Sequence, residues 1–233
     1  MTTTPVLRAE NIVKELGSGA GLVVAVKGVS LDLVPGELTL LMGPSGSGKT
    51  TLLSILGCIL KPTSGSLQIA DTVVDNLPAE ELAKVRRDHI GFIFQSYNLF
   101  PTLSALENVR IALDVRGVKG FAATSRAEEA LREVGLGHRL TNYPRNLSGG
   151  EQQRVAVARA IASSPSLVLA DEPTGNLDPH TADHVFLQLI DVIRRQGVAA
   201  LIATHNMDLA ARMDRVLQVH EGQLVEISLS RTH

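Results

Sequence analysis

The run Gly43-Pro44-Ser45-Gly46-Ser47-Gly48-Lys49-Thr50 contains the residue types needed to hold a chain of phosphates. Its glycines let successive backbone N–H groups curl around phosphate oxygens with no β-carbon in the way. Lys49 places a point charge at the β- and γ-phosphates. Thr50 offers a hydroxyl to Mg2+, and Thr51 follows on a helix whose positive end faces the anion. The competing reading is a glycine-rich turn with no ligand. Against it stand the apolar run Leu38 to Met42 before the motif and the helix-forming residues from Thr50 to Leu60 after it, which supply the strand and helix this motif requires.

Two further apolar runs end in chemistry. Leu167 to Ala170 leads into Asp171 and Glu172, and side chains at the C-terminal edge of a parallel sheet face the ligand crevice. Asp171 is placed to help hold Mg2+. Glu172 is one residue further on and can polarise the lytic water as general base. An acidic pair after a strand often does no more than cap a turn; beside a phosphate loop it gains a role. Ala199 to Ala203 leads through Thr204 to His205, which sets an imidazole at the same edge. A lone histidine there is more often structural, but in this company a γ-phosphate contact is the better reading. Leu147-Ser148-Gly149-Gly150-Glu151 reads first as a capping box of Ser148 with Glu151. That leaves the two glycines unexplained, because each weakens a first helical turn by roughly 1 kcal/mol relative to alanine. They open backbone N–H groups to an anion. Since the first loop already holds one triphosphate, this helix end is expected to serve the nucleotide of another copy.

The elements that must position these residues follow from periodicity. Short strand-like runs (Ile12-Val13, Leu22 to Val26, Val29 to Leu33), separated by glycine-rich turns, predict an N-terminal antiparallel lobe. Leu67 to Val74 reads as a hairpin and Ile90 to Phe94 as a strand. From Leu103 to Ala162 the pattern turns helical: Leu106, Val109 and Leu113, then Ala127, Leu131 and Val134, recur at helical spacing. Ser104 with Glu107 and Ser125 with Glu128 predict capping boxes, and Gly117 and Gly135 predict stops. A helix from Thr181 to Gln196 stopped by Gly197, and a closing hairpin turning at Glu221-Gly222, complete the chain. The sum is a parallel α/β core with an antiparallel β lobe before it and a helical lobe inserted within it.

Composition narrows the classes. A 44% hydrophobic, 20% charged chain of 233 residues has enough apolar side chains for one substantial core. Its net charge of -2 gives no bulk attraction to nucleic acid, which is not expected as a partner. The single cysteine, Cys58, sits among Leu56, Ile59 and Leu60 and reads as a buried structural thiol. With no secretory signal pattern at the start and no apolar run of membrane-spanning length, the chain is expected in the cytoplasm, with any membrane attachment made through a partner.

Together, the phosphate loop, LSGGE, the strand ending LADE, Asn176-Leu177-Asp178 and His205 resemble the nucleotide-binding domain of ABC transporters over nearly the whole chain. The resemblance implies an α/β P-loop NTPase (RecA-like) core, formed by 1–95 and 165–233, with a helical lobe at 96–164 carrying the signature. It implies an ATPase that uses ATP and Mg2+, with Lys49, Glu172 and His205 at the chemistry. The implied ATP-binding set is Gly43, Pro44, Ser45, Gly46, Ser47, Gly48, Lys49, Thr50, Thr51, Leu16 and Gln95. Thr50, Gln95 and Asp171 would hold the metal.

In that family two domains sandwich two ATP molecules. Ser148 and Gly150 would then complete the site built on Lys49 of a second copy, with Asp178 at the dimer contact. The resemblance also implies an integral-membrane permease as partner, which would hold the subunit on the inner face of the cell membrane, with a periplasmic adaptor as a further candidate component. Tyr97, Asn98, Leu99 and Phe100 either form part of the permease groove or pack under the helical lobe, and both readings stand. The runs FIFQSYNLFPTLSALENV and GCILKPTSG look most like the ATPases of lipoprotein-release, macrolide-export and heterocyst-glycolipid-export systems. Those subunits pair with four-helix permeases and drive a periplasmic motion. One departure concerns adenine: the position where the family stacks an aromatic on the base is Leu16, so weaker discrimination for adenine is expected. Among the rivals, a DNA-maintenance ATPase needs a long coiled coil between Gln95 and Ser148 that does not fit there. A regulatory ATPase coupled to a cell-wall hydrolase through a permease-like partner would carry the same motor residues. A binding module without turnover would need neither Glu172 nor His205.

Overall fold

The computed structural model describes residues 4–227, so the outer ends of the expected domain lie outside the described residues. The chain opens with β1 (Leu7–Leu16) and β2 (Val23–Leu33), joined by a short 3-10 turn at Gly19–Gly21. These are two long strands where the sequence suggests three short ones. β2 joins two of those runs across Lys27 and Gly28, both exposed, and β1 extends the third past Glu10 and Asn11, also both exposed, so the period-2 alternation breaks in each strand. The pairing of β1 with β2 shifts register between Ala9 and Ile12. There Asn11 takes a φ of +50° and donates its N–H to the Ser30 hydroxyl (2.9 Å), which is the geometry of a bulge.

Next come β3 (Leu38–Met42), α1 (Lys49–Leu56), β4 (Ser64–Ile69), β5 (Thr72–Val73), α2 (Ala79–His89) and β6 (Ile90–Ile93). α2 is not anticipated by apolar periodicity, because it buries only Leu82 and Val85. Its signal is electrostatic: Pro78 precedes it, Glu80 and Glu81 lie in the first turn, and Arg86, Arg87 and His89 in the last, matching the helix dipole at both ends.

Three helices follow, α3 (Ala105–Val115), α4 (Gly120–Glu133) and α5 (Gly149–Ile161), before β7 (Leu167–Asp171), α6 (Pro179–Gln196), β8 (Ala199–Ala203), β9 (Arg215–His220) and β10 (Gln223–Ile227). The expected capping box of Ser104 with Glu107 is present on α3. That of Ser125 with Glu128 is not. α4 starts six residues earlier, with Lys119 at its N-cap and no side-chain cap, so Ser125 lies inside the helix. Gly117, Gly135 and Gly197 follow the ends of α3, α4 and α6 with φ of +88°, +74° and +64°, and act as the expected stops.

The first sheet runs β2-β1-β4-β5 and the second β10-β9-β3-β8-β7-β6. In the second, β9, β3, β8, β7 and β6 pair in parallel and β10 returns antiparallel. Its central strands, β3 and β8, are buried along their full length, as expected when both faces are covered. Alternate residues serve different cores. Leu38, Leu40, Val168, Ala170, Ala200 and Ile202 join α3, α4, α5 and α6 in one cluster. Leu41, Leu167, Leu169, Ala199, Leu201 and Ala203 join α1, α2 and the β lobe in the other.

Candidate nucleotide site

β3 delivers the chain to the loop 43–48, and α1 starts at once. Gly48 is the N-cap of α1 at a φ of +101°, and a Cβ there would stand 2.4 Å from the Ala25 carbonyl oxygen of β2. Only glycine fits that conformation at that approach. Lys49 is buried and its ammonium donates to the carbonyls of Gly43 (2.7 Å) and Pro44 (3.1 Å). The cation therefore braces the curve of its own loop. The loop opens on a cleft of about 640 Å3 lined by Gly46 through Thr51 on one side, and by Leu16, Lys27, Glu221 and Gly222 on the other. Leu16, at the end of β1, thus shares one cleft with the phosphate loop. Lys27 and the turn Glu221-Gly222 are additions that the sequence does not disclose, since nothing local marks a distant hairpin turn as a cleft wall.

Asp171 ends β7 beside this loop. Its Oδ1 is buried and has no hydrogen-bond partner. Burial pushes its carboxyl above the usual range, the Thr50 hydroxyl opposes this, the Glu172 charge adds to it, and Lys49 opposes it. A buried carboxylate oxygen with no proton donor, next to a threonine hydroxyl, is a donor set of hard oxygens that suits Mg2+.

Glu172 takes a φ of +46° and its N–H donates to the Ala203 carbonyl (2.9 Å), tying it to β8. A glutamate in the left-handed region carries strain that the surrounding contacts must hold. Its carboxylate oxygens lie 3.1 and 3.2 Å from Nδ1 of His205. His205 follows β8 after Thr204, whose N–H donates to the Leu41 carbonyl (3.1 Å). One edge of one sheet therefore carries Lys49, Asp171, Glu172 and His205. This arrangement can neutralise phosphate charge, hold a cation and accept a proton from water.

Gln95, just past β6, is held by the loop after β7. Its Nε2 donates to Asn176 Oδ1 (3.3 Å) and its carbonyl accepts from Asn176 Nδ2 (2.9 Å). Asp178 is the N-cap of α6 and accepts from the Thr181 N–H (3.1 Å), an intrachain role the sequence reading did not assign. Ser148 caps α5 in a full capping box: its N–H donates to Glu151 Oε2 (2.8 Å) and its Oγ accepts from the Glu151 N–H (3.2 Å). Glu151 also accepts from Arg139 Nε (3.0 Å). The hydrogen bond from the Ser148 N–H, aided by Arg139, holds the Glu151 carboxyl below the usual range.

The two glycines after Ser148 have a reason within the chain. A Cβ on Gly149 would lie 3.0 Å from the Tyr97 hydroxyl and 3.1 Å from Leu177 Cδ2, and one on Gly150 would lie 2.6 Å from Thr181 Cγ2. Close packing of α5 on α6 calls for Gly150, and the loops at Tyr97 and Leu177 crowd Gly149, whatever anion approaches. Ser148 and Gly150 do not line the cleft that holds Lys49. The remaining segment divides between its two readings. Leu99 packs against the helical core, and Tyr97 meets Gly149. Asn98 and Phe100 line a groove of about 530 Å3 together with Phe92, Phe94, Val115 and Arg159. Arg159 donates to the carbonyls of Tyr97 (2.8 Å) and Asn98 (2.5 Å), which holds two consecutive residues in the left-handed region, at φ of +59° and +49°.

The sequence model of the family described as ABC transporter matches residues 26–175, well over half of the chain. The chain belongs to the ABC transporter family. Among relatives of this ABC ATPase, the lipoprotein-releasing system ATP-binding protein LolD of Paramagnetospirillum magneticum is 48% identical over 221 residues, covering 95% of this chain and 98% of its own. LolD 1 of Rhodospirillum rubrum is 46% identical over 219 residues, covering 94% and 97%. The ATP-binding cassette MJ0796, solved as a dimer in a post-hydrolysis state bound to ADP and Pi, is similar with a TM-score of 0.87 at 38% identity, covering 96% of this chain and 98% of that one. The α/β P-loop architecture with its antiparallel lobe and inserted helices is thus that of an ABC cassette, and the chain is the ATP-binding, ATP-hydrolysing subunit of an ABC transporter. Among the described residues, no helix is long and apolar enough to cross a membrane.

Proposed function

We propose that this ABC ATPase works as a head-to-tail dimer that drives a lipoprotein-releasing permease at the inner face of the cell membrane. In this reading the loop from Gly43 to Gly48 and the N-terminus of α1 cradle the triphosphate, and Lys49 shifts its ammonium from the loop carbonyls towards the β- and γ-phosphates. Thr50, Asp171 and Gln95 are the residues that would hold Mg2+, which when bound neutralises phosphate charge. Glu172 takes the proton from the attacking water, and His205 orients the carboxylate and reaches the γ-phosphate. Ser148 and Gly150 close the site of the facing subunit, next to Asp178 at the contact. The helical lobe spans 96–164 and the groove bordered by Asn98 and Phe100 receives the permease; a periplasmic adaptor remains a further candidate component.

The observation that carries this is the split site. The groups for phosphate, metal and proton share one sheet edge, while the signature at Ser148 lies off that cleft, so a second copy is needed to finish it. The lipoprotein assignment rests on identity of 46 to 48% over about 95% of the chain. Those relatives do not favour the regulatory reading in which the ATPase controls a cell-wall hydrolase. The test is Glu172→Gln. It should retain ATP binding, lower hydrolysis by about 10²- to 10⁴-fold and accumulate a Mg-ATP dimer on size-exclusion chromatography. Absence of a dimer at saturating Mg-ATP, with and without the permease, would overturn the composite site. ATP-dependent release of a lipoprotein from vesicles holding the co-purified permease tests the cargo separately.

A further inference from the structure

His180 and His184 occupy the first two turns of α6 at i and i+4, the spacing that brings two side chains onto one helix face. Both residues are exposed, and neither has a place in the nucleotide machinery described above. Their ring centroids lie 5.0 Å apart at an interplanar angle of 59°. Two imidazoles that each put a nitrogen about 2.1 Å from one ion, at a near-tetrahedral angle, have ring centres about 5 Å apart. The separation is therefore already that of a chelate, and the tilt is one that two rings converging on a point can adopt.

We propose that His180 and His184 form a bidentate site for a late first-row divalent cation, independent of the nucleotide-bound metal. The chemistry selects the ion. Neutral imidazole is a borderline-soft ligand that suits Cu2+, Ni2+ and Zn2+ and discriminates against Mg2+ and Ca2+. Among the described residues no group of three or more His, Cys, Asp or Glu side chains is arranged around a metal position, so the protein supplies two ligands and water the rest. Such a site exchanges its ion readily. It also lies at the end of α6 capped by Asp178, whose carboxylate, held low chiefly by its hydrogen bonds with Thr181, also feels the charge of His180. A captured cation adds its charge to that same helix end.

The test is calorimetric titration of the tag-free, full-length chain with Ni2+ or Cu2+ in a non-chelating buffer at about pH 7.5, above the ordinary imidazole pKa. The expected result is one ion per chain, with Cu2+ tighter than Ni2+ and Zn2+. His180→Gln and His184→Gln should each weaken binding at least 10-fold. The exposed His138→Gln, in the loop between α4 and α5, should leave it unchanged. In two-dimensional NMR the imidazole signals of both residues should be perturbed together by the ion. Unchanged affinity in either variant would overturn the proposal. So would an equal loss in His138→Gln, which would mark diffuse binding to surface histidines. Circular dichroism of each variant separates a lost ligand from a lost helix.

Discussion

At Asp171 burial and chemistry act in opposite directions. The folded chain raises its pKa, chiefly by burial, and so binds its proton more tightly than the unfolded chain does. The stability linked to that proton is complete below the unfolded pKa and is lost as pH rises through the folded one. At neutral pH the bare carboxylate therefore costs stability. Asp171→Asn should raise the melting midpoint of the nucleotide-free chain at pH 7.5, lose that advantage as pH falls below the ordinary carboxylate pKa of about 3.9, and abolish Mg-dependent hydrolysis. Thermal melts at pH 7.5 and below that pKa check the sign. Leu16 makes a second residue-scale case. It lines the nucleotide cleft and is 41% exposed, so a larger ring has room. Leu16→Tyr should tighten ATP by about 1 kcal/mol or more through base stacking and raise the preference for ATP over GTP. Equal affinities before and after, measured by nucleotide displacement, would refute the missing-stack argument. Cys58 follows its sequence reading: it is buried and its thiol is pushed up to about 11 by burial, with Arg86 opposing. At pH 8 its thiolate fraction is about one in a thousand, and Ellman's reagent should label it only after unfolding.

Between elements, α5 and α6 meet closely at Gly150. Gly150→Ala sets a Cβ 2.6 Å from Thr181 Cγ2, an overpacking that costs about 1 to 3 kcal/mol. Adding Thr181→Ser removes that methyl and keeps a hydroxyl, so the double variant should recover most of the loss in chemical denaturation. If it does not, the clash is not the cause. The same contact shows what was legible from residue order alone. The motif strands β3, β7 and β8 were readable because uninterrupted apolar runs between turn residues leave little choice, and α6 because Gly197 and its apolar stripe mark it. β1 was not readable in one piece, because the bulge at Asn11 resets its alternation. α2 was hidden by having two buried residues, and the start of α4 by having no cap. The purpose of Gly149-Gly150 was half legible: an open backbone can be read from residue type, but the neighbours that require it, Thr181, Leu177 and Tyr97, are distant in sequence.

For the whole molecule, the key assertion is that sites are shared between copies. A chain with Lys49→Ala keeps its signature, and a chain with Ser148→Glu keeps its phosphate loop while presenting a carboxylate to the neighbour's phosphates. Each alone should be inactive. Mixed, they form hetero-dimers with one intact composite site under two-fold symmetry, and hydrolysis by the mixture should exceed the sum of the separate rates. A purely additive result would argue for sites complete within one chain. That a second copy takes part was legible in Gly149-Gly150, because a second anion-binding helix end beside an occupied phosphate loop points to another nucleotide; the residues that meet across the pair came only through family resemblance.

The six-stranded sheet has one more consequence. Each side chain of β3, β7 and β8 assigned to a core belongs to the helical side or the β-lobe side, and none to both. The sheet is a bulkhead between two oily compartments. A void opened at Leu131, deep in the helical compartment, should soften that side while the wall behind α1 keeps its shape. What passes from one compartment to the other must travel along stiff extended backbone to the strand tips, where Gly43, Asp171 and Thr204 stand.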